Sequence, residues 1–196
     1  MLLLAIAAPA CSDEVVDEDE IDVAVDDGND RGSSLEEDAD DELGDADELD
    51  QMAMAAGILL AIDNGEIAHA QLAIDVDTTG DIQMFDFASE MISIHTERAA
   101  QIEALAAAHG FVPVDGEVSA ALIREGEDAM KTLQAASDPA HVYIRQQVEM
   151  HEKARVIVDG IIEHFDAGEF RDFLENTHAI VVAHEEHAIE ILRGFQ

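Results

Sequence analysis

Only one of the 196 residues is a cysteine, so the chain can build neither a disulfide framework nor a paired-cysteine metal or redox site. Basic residues are scarce as well. Nine lysines and arginines face 46 acids, a formal net charge of -37, and a nucleic-acid backbone or an anionic membrane surface would repel such a protein. No apolar run reaches the roughly 18 residues that a membrane-crossing helix needs. Also missing are a nucleophile with an adjacent base, a phosphate-cradling glycine loop and a serine or cysteine hydrolase motif, which leaves conventional hydrolase and transferase roles without machinery. The length suits one ordinary domain and a tail.

The acidity that is present is unevenly spread. Residues 12–51 hold 20 acids and one base, Arg31, leaving 26 acids and eight bases for the rest. That stretch has no aromatic residue and too few apolar ones to offset the entropy of ordering, so residues 11–51 are expected to be a disordered acidic linker. Ahead of it, MLLLAIAAPAC reads as the end of an export signal over residues 1–10. Ala8-Pro9-Ala10 fits ordinary signal-peptidase cleavage, while Ala10-Cys11 resembles a bacterial lipoprotein box. A lone Cys11 between a signal and a long polar spacer is what a lipid tether requires, so the lipoprotein reading is preferred, with an outer-membrane envelope location and membrane contact only through the anchor.

From Met52 onward the apolar residues keep helical spacing. Leu59, Ile62, Ala70 and Ala73 mark a first stripe, stopped at Thr78-Thr79-Gly80-Asp81. Met84, Ala88, Met91, Ala99, Ile102 and Leu105 mark a second, stopped at His109-Gly110 with Pro113 beyond. A bare loop over 109–137 would be improbable in a compact domain, so a connecting helix is expected near 117–135. Pro139 then opens a third helix at position N1, carrying Ile144, Val148, Val158, Ile162 and Phe165. Phe170, Phe173, Val181, Ala188 and Ile191 define a fourth. The expectation is an all-α, four-helix bundle over 52–196, with the long helical crossover of ferritin-like folds between its second and third helices.

Each stripe is interrupted once by a polar residue: Glu66, His95, His151 and His184. At 1.5 Å per residue all four fall roughly 21–26 Å from helix ends, so one mid-height layer could hold them. Three imidazoles and a carboxylate suit Zn, Fe, Cu or Mn, and Glu152 or His187, next along the helix surfaces, could add a ligand. The other reading is a metal-free polar core, with the histidines satisfied by one another, by Glu66 and by water. Both stand at this point. Glu66/His69, Glu175/His178 and His184/His187 have the i,i+3 spacing of di-iron elements without the full set of bridging carboxylates. His69 and His178 are expected at stripe flanks, and His109, His141 and His164 near helix ends. Asp75, Asp77, Thr79, Gly80, Ile82 and Asp86 imitate a calcium loop, but the twelfth position lacks Glu and the segment reads equally as a helix stop and N-cap.

Glu66 with Leu72-Ala73, Phe87-Ala88-x-x-Met91-Ile92-x-x-His95, Gly110, Pro113, Tyr143 with His151, and Phe173 with His184 resemble a bacterial family of exported or outer-membrane proteins, domain of unknown function 4142, over about residues 55–192. The resemblance implies a ferritin-like fold and export, and no reaction. Similar members carry Asp just before the second- and third-helix histidines, where this chain has Ile94 and Met150. The expected carboxylate partners of ligand histidines are therefore absent at those positions. Two functions follow: a tethered helical protein that binds a transition metal, for metal handling or oxidative protection, or a non-enzymatic structural or interaction protein with a metal-free polar core. Neither reading requires catalysis.

Overall fold

A computed structural model describes residues 47–195, and the signal, Cys11 and most of the acidic linker lie outside them. The described residues form five helices and no strand: α1 Glu48–Val76, α2 Ile82–His109, α3 Glu117–Gln134, α4 Pro139–Glu163 and α5 Glu169–Gly194. None is long and apolar enough to cross a membrane.

Local chemistry sets the helix ends. The Asp47 carboxylate accepts from the amides of Leu49 and Asp50, and Glu48 and Asp50 place negative charge in the first turn, where the helix dipole favours it. These interactions start α1 at Glu48 rather than at Met52, where apolar periodicity begins. The segment that imitated a calcium loop is a turn. Asp77 accepts from the amides of Thr79 and Gly80 and from the Thr79 hydroxyl, and Asp81 caps α2 through the Met84 amide. Its carboxylates are spent on the helix stop and start, and Asp86 is exposed on α2. Gly110, at φ 80°, ends α2 in the left-handed region that glycine tolerates best.

The helices α1 and α2 pair along their length, as do α4 and α5, and contacts of α1 with α4 and of α2 with α5 join the two pairs. The connecting helix α3 packs on α1 and α4. Gly57 lets the segment between α2 and α3 approach, since a Cβ there would sit 1.9 Å from the Val114 carbonyl oxygen, and the Val114 amide bonds the Ala53 carbonyl at 2.9 Å.

Burial divides the interior into two apolar clusters. One gathers Ile58, Leu59, Ile102, Ile157, Ile161 and Leu174, and the other Ala73, Met84, Phe87, Tyr143, Ile144 and Ile191. Between them along every long helix lie buried polar residues: Asp63, Glu66 and His69 on α1, His95 and Arg98 on α2, Gln146, Gln147 and His151 on α4, and Thr177 and His184 on α5. A polar layer at mid-height is costly to bury unless its groups find partners, so its hydrogen bonds decide what it can do.

Candidate metal centre

His95, His151 and His184 come from α2, α4 and α5 and meet in this layer, each no more than 4% exposed. Ring centroids are 6.0 Å apart for His95 and His151, 5.5 Å for His95 and His184, and 5.3 Å for His151 and His184. One nitrogen from each ring lies within 4.8 Å of one from each of the others. Metal–nitrogen bonds of about 2.0–2.1 Å in a tetrahedral site place ligand nitrogens roughly 3.3–3.5 Å apart, so closure onto an ion asks for shifts of about 1 Å.

The hydrogen bonds orient two of the rings. His95 Nδ1–H donates to Asp63 Oδ1 at 2.7 Å, and His151 Nδ1–H donates to the Gln147 carbonyl at 2.9 Å. Each acceptor can only accept, so each ring presents Nε2 on its far side. His95 Nε2, His151 Nε2 and His184 Nδ1 are buried and have no hydrogen-bond partner among the described residues. Burial lowers the pKa of His151, against the pull of Glu66, and burial together with the neighbouring His151, His95 and Arg98 takes that of His184 down to about 3. Both rings are therefore neutral at pH 7, the form that binds metals.

Asp63 is the residue that sequence reasoning missed. It is fully buried and accepts from both His95 and Arg98 Nε, the latter at 3.0 Å. The carboxylate looked for beside His95 on α2 thus comes from α1. Asp63 precedes Glu66 by three positions and follows Leu59 by four, so the stripe spacing itself marked it as inward-facing. Arg98, three after His95, carries the same signal.

Glu66 is not part of the three-histidine group. One carboxylate oxygen lies 3.8 Å from His151 Nδ1, the nitrogen already given to Gln147, and the other accepts from Gln147 Nε2 at 2.7 Å. Burial opposes its ionisation, yet the neighbouring histidines and the Gln147 hydrogen bond bring its pKa below the ordinary glutamate value. Gln147 Nε2 also donates to His69 Nδ1 at 3.2 Å, and His69 Nε2–H donates to Gln146 Oε1 at 3.0 Å. His69 is therefore buried and fully engaged rather than at a flank. Glu152 is exposed and does not converge on the triad. His187 is half-exposed beside Glu90, at the edge of a cavity of about 380 Å³ that reaches His184. His178 pairs with Asp159 at the surface, and His109 with Glu169.

The family described as a domain of unknown function, DUF4142, matches residues 37–191 of the chain. No curated protein and no solved structure matches it.

Proposed function

This chain belongs to the DUF4142 family, a domain of unknown function, and we propose that its core is a transition-metal centre with His95, His151 and His184 as ligands. The observation that carries the reading is that three buried imidazoles bring one nitrogen each within 4.8 Å of the others, that each ring has a nitrogen without a partner among the described residues, and that the opposite nitrogens of His95 and His151 are held in place. Each unpartnered buried polar atom costs about 1–3 kcal/mol, so three together are a large fraction of a typical stability of about 5–15 kcal/mol. An ion converts all three into bonds. Asp63 supports the same reading, because a carboxylate behind a ligand histidine fixes its tautomer and raises its basicity.

Three nitrogen donors without a thiolate favour Zn or Cu over Fe and Mn, by the general order of divalent affinities. Three protein ligands leave a further coordination position for water or a small ligand, as in exchangeable and catalytic centres rather than closed structural ones. The architecture we propose is a ferritin-like four-helix bundle in which α1, α2, α4 and α5 surround the centre and α3 is the crossover. We further propose that Cys11 carries the lipid that tethers the protein to the cell envelope, with metal handling or oxidative protection as the role. Metal analysis of protein purified without chelator tests the centre: close to one Zn or Cu per chain is expected, and metal-free protein that takes up neither ion refutes it. Cys11→Ser should release the protein from membranes, and native protein that fractionates as soluble would refute the tether.

A further inference from the structure

Arg98 gives the centre a second property. It is 2% exposed, its Nε is bound by Asp63, its guanidinium lies 5.7 Å from the centre of the Phe173 ring, and its Nη1 is buried with no partner among the described residues. Arg98 and His184 line the same cavity of about 380 Å³ between α2 and α5. The carboxylates that share this cavity are each paired with another of its lining residues, Glu90 with His187 at 3.3 Å and Glu97 with Gln101 at 3.2 Å.

We propose that this cavity admits a small oxyanion of the carboxylate type, which takes the open position on the metal through one oxygen and accepts from Arg98 Nη1 through another. The inference rests on the metal reading above and names the class of ligand that the centre would bind. Charge balance supports it. A divalent ion among three neutral imidazoles, taken with Asp63, Glu66 and the always-protonated Arg98, leaves one uncompensated positive charge in a buried layer. A monoanion cancels that charge and also gives Arg98 Nη1 its missing acceptor. Charge-assisted bonds of this kind are the strong ones, and arginine suits carboxylate geometry better than lysine does. Arg98 and His184 line one cavity, so the cation stands beside the proposed metal position.

The test uses the protein loaded with Co(II), whose visible spectrum reports its coordination. Formate and azide should change the spectrum of the wild-type protein saturably, and neutral formamide should bind at least about tenfold more weakly, the discrimination expected of a charge-assisted bond. Arg98→Gln should weaken formate by about tenfold or more without weakening Co(II) binding. Should that variant fail to fold because Asp63 loses its cation, Arg98→Lys keeps the ion pair but not the fork and is expected to weaken formate in the same direction. Failure of wild-type protein to take up Co(II), Zn or Cu overturns the metal reading itself. Uptake of metal with no spectral response to the anions, or equal binding of formate and formamide, overturns the anion site alone. Unchanged formate affinity in a folded Arg98 variant removes Arg98 from it.

Discussion

Two histidine clusters share one buried layer and are wired differently. Around His69 both ring nitrogens are engaged, one accepting from Gln147 and the other donating to Gln146, whose own amide reaches the Ala129 carbonyl at 3.1 Å. Among the described residues this side leaves unpartnered only Gln147 Oε1 and, in the adjoining apolar cluster, the Tyr143 hydroxyl. His95, His151 and His184 instead each leave a ring nitrogen unpartnered, and one nitrogen of each ring lies within 4.8 Å of one from each of the others. The histidines of both clusters are buried, so burial alone does not explain the contrast. Glutamines satisfy both nitrogens of His69, whereas one nitrogen each of His95, His151 and His184 has no such partner among the described residues. A core stabilised by its own hydrogen bonds would resemble the first cluster throughout; the second differs from it in the way the proposed ion would explain.

The comparison can be broken most severely at Asp63, which serves the second cluster alone. Asp63→Ala leaves Arg98 buried without its carboxylate and frees the His95 ring, and should destabilise the fold by about 3–5 kcal/mol in denaturant melts. A loss below about 1 kcal/mol would mean that Arg98 is not held as described. A pair of equal substitutions sharpens the contrast in chelator-treated protein. His69→Leu strands donors and acceptors on Gln146 and Gln147 and should cost about 1–3 kcal/mol, whereas His184→Leu removes an unpartnered nitrogen and should be close to neutral or stabilising. Equal losses in the two variants would erase the distinction between the clusters.

Acid should act on both clusters in one direction. The pKa values of His69 and His151 are lowered by burial and that of His184 is taken to about 3, all beneath the ordinary value of about 6.5 that applies in the unfolded chain. Between the two limits the unfolded state binds more protons, so this contribution is complete above about pH 6.5 and is lost as the pH falls toward 3. Denaturant midpoints followed down through this window should fall steadily in metal-free protein, and a flat profile would contradict the burial of neutral rings. The smallest effect is expected at Glu152. Its exposure predicts that Glu152→Ala changes neither metal affinity nor stability by more than about 0.5 kcal/mol, and a larger loss of metal affinity would restore it as a ligand.

Much of this arrangement was legible in the chain because helical periodicity carries depth as well as face. The connecting helix expected near 117–135 is α3 at Glu117–Gln134, and the interruptions at His95, His151 and His184 share a level because helical rise is uniform. Spacing alone could not show which nitrogen each ring turns inward, since that depends on acceptors from other helices. Glu66 satisfied the same spacing and still misses the group, because Gln147, one turn before His151, captures its carboxylate. Asp63 and Arg98 stand at stripe spacing but were assigned no role, because the charge each buries is neutralised only by the other, from a different helix. His69 was expected at a flank of one apolar stripe and is instead buried, because α1 meets α2, α3 and α4, which widens its buried face beyond that stripe.

The claim that the second cluster is built for an ion is tested most directly by calorimetric titration of metal-free protein with Zn, alongside thermal melts. The account predicts one ion per chain, bound by the wild type and lost in His95→Ala, His151→Ala and His184→Ala but retained in His69→Ala. Zn at about 1,000 times its dissociation constant should add about 4 kcal/mol of stability to the wild type. That is a rise of roughly 8–16 °C in melting temperature for a domain of this size. Absence of binding to the folded wild type, or binding that survives all three triad substitutions, would contradict it.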